Sequence, residues 1–294
     1  MMLSIVYITM NRSSELIRSI ESCERCVTIE HDYVVVDNAS TDDTEKKIRE
    51  LIDSGLKIIY SKQSENHGVA GGRNIAYRLA DGDVCYFIDD DGLLETDEKV
   101  LDRAYDFINT HSELAAMSTD IYDVKKEAHV IGGFPKGVPE GTEGYVKGFA
   151  GGSHFISKTR FPKQNLYPQN MKYGSEEAYF ALSAYKAGLK IWYYPSVCLI
   201  HRPSSNNRNN RQWEKRNSYI NTFVIKRYFY PSAVLWMSYI IFAIRALKNE
   251  KLKFWNVINY FKEANSRYCI DFEDKIGLKQ YFELAKTYRF LSVL

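Results

Sequence analysis

The chain has 294 residues, of which 45% are hydrophobic, 26% charged and 14% aromatic, and its formal net charge is +2. This composition is typical of a globular protein that buries a sizeable core, and it excludes a collagen-like or disordered chain. Since no uncharged apolar run reaches about 18 residues, it also excludes a membrane-spanning helix.

Residues 1–113 alternate between apolar runs and helical segments. The runs at 3–9, 33–36, 57–60 and 84–88 predict four strands, and a helical segment follows each of the first three. Such a pattern predicts a parallel sheet covered on both faces, whose ligands bind outside the carboxyl ends of the strands. The sequence places polar residues at those ends: Thr9, Asp37, Asn38, Asn66 and Asp89 to Asp91.

The pattern changes after residue 113. Shorter strands and glycine-rich loops predict a mixed half that closes over the first, with a helix over 175–187 before the strand-like segment IWYYPSVCLIH. The charge also changes along the chain: residues 1–200 carry 22 Lys and Arg against 30 Asp and Glu, whereas residues 201–294 carry 17 against 7. The last 90 or so residues therefore form a basic, aromatic-rich extension, helical in period and broken at Pro231.

Three consecutive aspartates follow the fourth apolar run. In an extended segment Asp89 and Asp91 point to one side and Asp90 to the other. A pair of carboxylates at a strand end suits Mg²⁺ or Mn²⁺, whose remaining positions phosphate oxygens and water can fill. The alternative is a solvated acidic turn closed by Gly92.

Two further loops lie at the same predicted edge. VVVDNASTDDT supplies Asp37 and Asn38, which can accept hydrogen bonds from a ribose or a pyrimidine, although the same letters also make a good turn and helix cap. NHGVAGGRN places glycines at the entry to a helix whose amide end favours anions. This segment matches neither GxxxxGK[ST] nor GxGxxG.

Taken in order, these motifs resemble the family 2 glycosyltransferases of the GT-A fold. The matching segments are SIVYITMNR, VVVDNASTD, NHGVAGGRN and YFIDDDG. Downstream, FAGGSHFISK is similar to the acceptor-side strand, and YGSEEAYFALSAYKAGLKIWYYPSVCLIHRPS to the segment with the catalytic carboxylate and a following histidine. The resemblance covers roughly residues 3–205. It implies an α/β GT-A catalytic domain over 1–205, with a Rossmann-like nucleotide-sugar-binding half (1–113) and a mixed acceptor-side half (114–205), followed by a helical extension (206–294).

The resemblance also implies roles for individual residues. Those expected to contact the nucleotide sugar are Thr9, Asn11, Arg12, Asp37, Asn38, Asn66, Gly68, Arg73, Asn74, Asp89 and Asp90. Asp89, Asp91 and His201 are the expected metal ligands, while Gly151, Gly152 and His154 are expected on the acceptor side. The catalytic base stays open: Glu177 stands at the family's catalytic position and Glu176 is the alternative.

The implied activity is metal-dependent, inverting transfer of a sugar from a nucleotide diphosphate sugar to a glycan or lipid-linked acceptor, in surface polysaccharide or glycolipid biosynthesis. The cofactor would be Mn²⁺ or Mg²⁺. One alternative is a nucleotidyltransferase, although ITMNRSS lacks the glycine-rich loop that such enzymes place after the first strand. The other is a non-catalytic sugar- or lipid-binding protein with the same fold.

The basic extension contains an apolar run at 233–244, too short to span a bilayer. Basic residues flank this run at Lys226, Arg227, Arg245, Lys248, Lys251 and Lys253. Residues 225–255 could therefore lie on an anionic membrane surface, or pack on the catalytic domain or on a second subunit. The N-terminal segment lacks the features of a signal peptide and the five cysteines are an odd number, so we expect a cytoplasmic chain. The membrane alternative would make it peripheral on the inner face of the cell membrane, and we expect no binding to nucleic acid.

Overall fold

The computed structural model describes residues 2–95, 97–130, 133–168, 171, 174–203, 211–249, 253–267 and 275–288. Its N-terminal part alternates between strands and helices, as predicted. The elements are β1 (Leu3–Thr9), α1 (Ser13–Glu24), β2 (His31–Asp37), α2 (Thr44–Asp53), β3 (Ile58–Lys62), α3 (Gly68–Leu79) and β4 (Val84–Ile88). The four strands are parallel neighbours in the order β3-β2-β1-β4.

Both faces of this sheet are covered, which explains the nearly continuous apolar strands. Along β2, Val34 and Val36 face one core together with Tyr77 of α3. The alternate residues Tyr33 and Val35 face a second core together with Leu16 of α1. Because successive side chains of a strand point to opposite faces, a strand between two helical layers must be apolar at every position.

The second half extends the same sheet. Its elements are β5 (Gly92–Leu94), α4 (Val100–Thr110), β6 (Leu114–Asp123), β7 (Ala128–His129), β8 (Gly144–Val146), β9 (Ser153–Ser157), α5 (Glu176–Lys186) and β10 (Lys190–His201). The sheet continues from β4 in the order β9-β6-β10-β5, and β9 is antiparallel to both of its neighbours.

The second half thus continues the first sheet and does not close over it. The expected shorter strands are observed in β5, β7, β8 and β9, which have two to five residues, but not in β6 and β10. Strand β6 has 10 residues and β10 has 12, more than any strand of the first half. The register of β10 against β6 shifts between Tyr194 and Cys198, around Pro195. Since proline lacks the amide proton that a ladder requires, the sequence there resembles a break, although the strand continues past it.

The C-terminal extension is helical, as predicted. It contains α6 (Arg211–Phe229), α7 (Ser232–Asn249), α8 (Phe254–Arg267) and α9 (Leu278–Tyr288), with Pro231 at the break between α6 and α7. Helices α6, α7 and α8 share a small core that includes Phe223 and Tyr239. The helices of the described ranges are all too short or too polar to cross a bilayer.

Candidate active site

The three aspartates after β4 lie in a turn that is closed by a hydrogen bond from the Gly92 amide to the Asp89 carbonyl at 3.0 Å, and not in the extended segment that was expected. Asp90 turns towards the first loop, where it accepts hydrogen bonds from Thr9 Oγ1 at 2.7 Å and from Arg12 Nη1 at 2.8 Å. Arg12 Nη1 also lies 3.4 Å from Asp91 Oδ2. Asp89 and Asp91 lie on the other side with His201, and the ligand atoms of these three residues are within 4.8 Å of one another.

Strand pairing brings His201 to this position. In the antiparallel pairing of β10 with β5, His201 lies opposite Gly92, and the amide of Arg202 donates to the carbonyl of Asp91 at 3.0 Å. His201 Nε2 is 3.3 Å from Asp91 Oδ1, and its Nδ1 is 3.4 Å from Asp123 Oδ2. The histidine is thus held between two carboxylates at the end of its strand.

Burial and charge oppose each other in this cluster. Burial acts to lower the pKa of His201, but the hydrogen bond and charge of Asp91 outweigh it and the pKa is raised. Burial raises the pKa of Asp90 to about 7, even though Arg12 and Thr9 act to lower it. Two carboxylates and one imidazole at this spacing are hard or borderline donors that fit Mn²⁺ or Mg²⁺.

Arg73 connects this cluster with the acceptor-side half. It projects from α3, is almost fully buried, and donates to the carbonyl of Gly151 at 2.7 Å. Its guanidinium lies 3.6 Å from Asp89 Oδ1 and 3.3 Å from Glu177 Oε1. Glu176 Oε1 is 3.8 Å away. The Arg73 guanidinium therefore contacts carboxylates of both halves of the domain.

The two glutamates begin α5 and have different surroundings. The Glu177 side chain is 20% exposed, whereas that of Glu176 is only 5% exposed. Burial, and then the charge of Glu177, raise the pKa of Glu176 to about 7. Glu176 Oε2 has no hydrogen-bond partner among the residues that the structure describes. Glu177 is thus the more accessible of the two.

Gly151 and Gly152 leave room for the side chains of Arg73, Glu177 and Asp89 to lie close together. A Cβ atom added at Gly151 would lie 2.0 Å from Glu177 Oε1 and 2.9 Å from Arg73 Nη1. One added at Gly152 would lie 3.1 Å from Asp89 Oδ2, and the Gly152 carbonyl accepts from the Asp89 amide at 2.9 Å. Any side chain at Gly151 would therefore occupy the space of the two charged groups.

The loop that follows β1 and the loop that follows β2 contact each other at the strand ends. Thr9 lies opposite Asp37 in the parallel pairing of β1 and β2. Asp37 is fully buried and accepts from the Ser40 amide at 2.7 Å and from the Tyr60 hydroxyl at 2.6 Å. Asn11 Oδ1 accepts from the amide of Thr41 at 2.7 Å. These bonds hold the second loop beside Asp90.

The remaining predicted residues lie around this centre. Asn38 donates to the Gly68 carbonyl at 3.2 Å, and Asn66 Oδ1 accepts from the Gly68 amide at 2.8 Å. Asn74 is buried and bonds the backbone of Tyr167 through both side-chain atoms. Its contacts fix a loop of the second half rather than line an open surface.

His154 also lies in the interior. Its ring stacks between Phe87, with ring centroids 5.1 Å apart, and Phe149, with centroids 4.3 Å apart. Burial holds the pKa of His154 well below its usual value, so this imidazole is neutral. Sequence reasoning missed Asp123, the second carboxylate on His201, although an acidic residue at the end of an apolar strand is the same signal that singled out Asp37.

A family model matches the N-terminal part of the chain. The model described as Glycosyl transferase family 2 matches residues 4–132, which include the three aspartates and Arg73. An uncharacterized protein of Haemophilus influenzae is 23% identical over 172 residues, which cover 57% of this chain and 93% of that protein.

Solved structures share the fold at low sequence identity. Residues 1–349 of S. aureus TarS in complex with UDP-GlcNAc give a TM-score of 0.60 at 18% identity, over 91% of this chain and 72% of that one. The mannosyltransferase PcManGT from Pyrobaculum calidifontis, with GDP-Man and Mn²⁺, gives 0.59 at 14% identity, over 96% and 78%. GalNAc-T7 with UDP, GalNAc and Mn²⁺ gives 0.64 at 15% identity, over 92% and 55%. These matches confirm the predicted fold and the resemblance found in the motifs.

Proposed function

We propose that this chain, a glycosyltransferase whose residues 4–132 form a family 2 domain on a GT-A fold, transfers a sugar from a nucleotide diphosphate sugar with inversion of the anomeric carbon. The observation that carries the proposal is the position of Arg73, which touches Asp89 of the metal cluster and Glu177 of the acceptor side. A donor at the aspartates and an acceptor hydroxyl at Glu177 would thus meet at one point.

On the donor side, Asp89, Asp91 and His201 would hold Mn²⁺ or Mg²⁺. When bound, such a cation offsets the negative charge that develops on a departing diphosphate. The nucleotide would lie along the carboxyl ends of β1, β2 and β4, where Thr9, Asp37 and Arg12 are located. Arg12 contributes a further positive charge at that edge.

On the acceptor side, Glu177 would act as the general base. It would accept the proton of the acceptor hydroxyl while the hydroxyl oxygen attacks the anomeric carbon and the bond to the diphosphate breaks. This single displacement inverts the anomeric carbon and requires no covalent intermediate. Glu176 suits the role less well because its side chain is only 5% exposed, against 20% for Glu177, and is therefore less accessible to an acceptor hydroxyl.

A matched pair of variants tests this assignment. Sugar release from UDP- and GDP-sugars would be measured with Mn²⁺ for the wild type, Glu177→Gln and Glu176→Gln. Because a positioned base contributes about 10²–10⁴-fold, we expect a loss of that order for Glu177→Gln and a much smaller loss for Glu176→Gln. Unchanged turnover of Glu177→Gln, with the loss in Glu176→Gln instead, would move the base to Glu176.

The family match favours this activity over the two alternatives. It names glycosyltransferases, whereas a nucleotidyltransferase would carry a glycine-rich loop after β1. A non-catalytic binding protein would release no sugar from any donor in the same assay.

The chain would act at an anionic membrane surface, on a glycan or lipid-linked acceptor for surface polysaccharide or glycolipid. This part of the proposal is supported by one face of α7, where Trp236, Ile240 and Ile244 are exposed at 68%, 59% and 56%. Trp255, at the start of α8, is 71% exposed. Exposed aromatic and aliphatic residues flanked by basic ones are typical of helices that lie in a membrane interface.

A further inference from the structure

A cavity of about 340 Å³ lies against Glu177 on the acceptor side. One face of α5 forms its first wall, because Glu177, Ala181 and Tyr185 follow one another at intervals of four residues, and Ala178 and Leu182 line the cavity beside the first two. The volume lies at the lower end of the range of small-molecule pockets, about 300–1,000 Å³. The expected base is thus part of a pocket wall.

The rest of the wall is mainly apolar, and Ser118 and Lys147 are polar side chains that also line it. Phe149, which precedes β9, and Leu284 of α9 line the cavity, together with Tyr288. The hydroxyl of Tyr185 is already bonded to the carbonyl of Val146 at 2.5 Å. A second sugar ring would bring several hydroxyl groups that need partners, and polar groups buried without partners are costly. An apolar group needs no such partners and gains burial against the apolar part of the wall.

The C-terminal helix that completes the wall is attached to the catalytic domain. The Lys136 amide donates to the carbonyl of Thr287 at 2.8 Å, and Gln280 donates to the carbonyl of Tyr185. Tyr281 and Ala285 of α9 are buried in the core that also contains Phe180 of α5. The cavity is therefore built jointly by the catalytic domain and the extension.

We infer that this cavity binds an apolar group of the acceptor, so that the acceptor is an amphiphile with its hydroxyl at Glu177 and its hydrocarbon part between α5 and α9. The inference rests on the proposed function, because it takes Glu177 as the group that meets the acceptor hydroxyl. It goes further by defining the chemical class of the acceptor as an alkyl or aryl glycoside or a lipid-linked sugar, rather than a free oligosaccharide.

Calorimetric titration of the full chain with two neutral probes tests the inference. The probes are octyl β-D-glucopyranoside, kept below its micelle concentration, and methyl β-D-glucopyranoside. Each buried methylene contributes about 0.8 kcal/mol, or roughly fourfold in affinity, so we expect octyl glucoside to bind at least about tenfold more tightly than the methyl compound.

Variants on both sides of the cavity identify the binding site. Ala181→Leu fills the cavity from α5, and Leu284→Gln makes the α9 wall polar; we expect each to weaken octyl glucoside about tenfold or more. A variant of the exposed face of α7, Trp236→Ser with Ile240→Ser, controls for detergent that adsorbs there and should bind as the wild type does. The melting temperature of each variant checks its fold, and Leu284→Gln remains informative if Ala181→Leu does not fold.

Equal affinity for the two glucosides would overturn the inference. So would octyl binding that survives both cavity variants or disappears in the α7 variant. A failure of this inference can be distinguished from a failure of the proposed function. Mn²⁺-dependent sugar release, and its loss in Glu177→Gln, are measured without an octyl compound.

Discussion

The hydrogen atom that serves as the side chain of Gly151 leaves room for the contact between Arg73 and Glu177. We expect Gly151→Ala to lower turnover by about 100-fold, because its Cβ would lie 2.0 Å from Glu177 Oε1 and displacing a reacting group by about 1 Å costs that much. Sugar release from the donor, with a melting curve, measures the effect.

Gly148→Ala is the matched control for this variant. Among the described residues a Cβ at Gly148 would meet only the Ala181 side chain, at an ordinary contact distance of 3.8 Å. We expect near wild-type turnover for Gly148→Ala. Equal losses in the two variants would show that Gly151 matters for general packing of the loop and not for the placement of Glu177.

Glu176 should make the stability of the fold depend on pH. Its folded-state pKa of about 7 lies above the ordinary value for a glutamate, so the folded state binds the proton more tightly than the unfolded state does. The free energy of unfolding therefore falls as pH rises from about 4.5 to about 7, and stays lower above that.

Replacing this carboxyl by an amide removes the dependence. We expect Glu176→Gln to be more stable than the wild type at pH 8, by on the order of 1–3 kcal/mol, and to lose this advantage near pH 4.5. Urea unfolding at the two pH values measures the difference. A Glu176→Gln protein that is less stable at pH 8 would mean that the contact with Arg73 outweighs the burial of the charge.

At the level of single residues, the sequence predicts polar strand ends well and buried polar contacts poorly. Asp89 to Asp91 could be singled out because they directly follow the apolar run at 84–88, whereas His201 was reached through the family resemblance. The contacts of Asn74 could not be predicted, because its partners Leu166 and Tyr167 are about 90 positions away in the chain. The sequence does not reveal such a pairing until the fold is known.

Helix α7 determines whether the extension meets a membrane. We expect the chain to float with vesicles that contain anionic lipid, and the triple change Trp236→Ser, Ile240→Ser and Ile244→Ser to abolish flotation, because apolar burial and electrostatic attraction both contribute to such binding. Ile52→Ser, which removes an exposed apolar residue from α2, should leave flotation unchanged. A wild-type chain that never floats would favour a protein partner for this face.

At the level of elements, periodicity predicts the first half closely and the second half less well. The helical segment expected after the third apolar run is observed as Gly68–Leu79, and the strand expected over 84–88 as Val84–Ile88. In contrast, the second half was expected to have shorter strands, and only the segment IWYYPSVCLIH indicated one of its two long strands, β6 and β10. Their length depends on pairing with each other over an irregular register, and a single strand carries no signal of its partner.

For the whole molecule, ligand binding should be visible as a change in melting temperature. We expect UDP or GDP with Mn²⁺ to raise the midpoint by a few degrees, since ligand at about 100 times its dissociation constant stabilises a fold by about 2.7 kcal/mol. EDTA should remove the shift in the wild type. An Asp91→Asn protein should show no shift.

Asparagine suits this position because Asp91 is only 6% exposed, and an amide keeps the shape of the buried side chain while removing its charge. Asp97→Asn removes a carboxylate whose side chain is 64% exposed, so that variant should keep the full shift. If the Asp91→Asn protein keeps the increase in melting temperature, the cation binds at a different position.

The insertion of β9 between β4 and β6 has a consequence for any shortened version of the protein. The family match ends at residue 132, before β9 at Ser153–Ser157 and before β10. A chain cut at that residue would leave β4 with an open hydrogen-bonding edge and would remove β9 and β10, the two neighbours of β6 in the sheet. Unpaired apolar strands of this kind invite aggregation. The segment that carries the family signature is thus not an independent folding unit, and a soluble fragment would have to continue at least through His201.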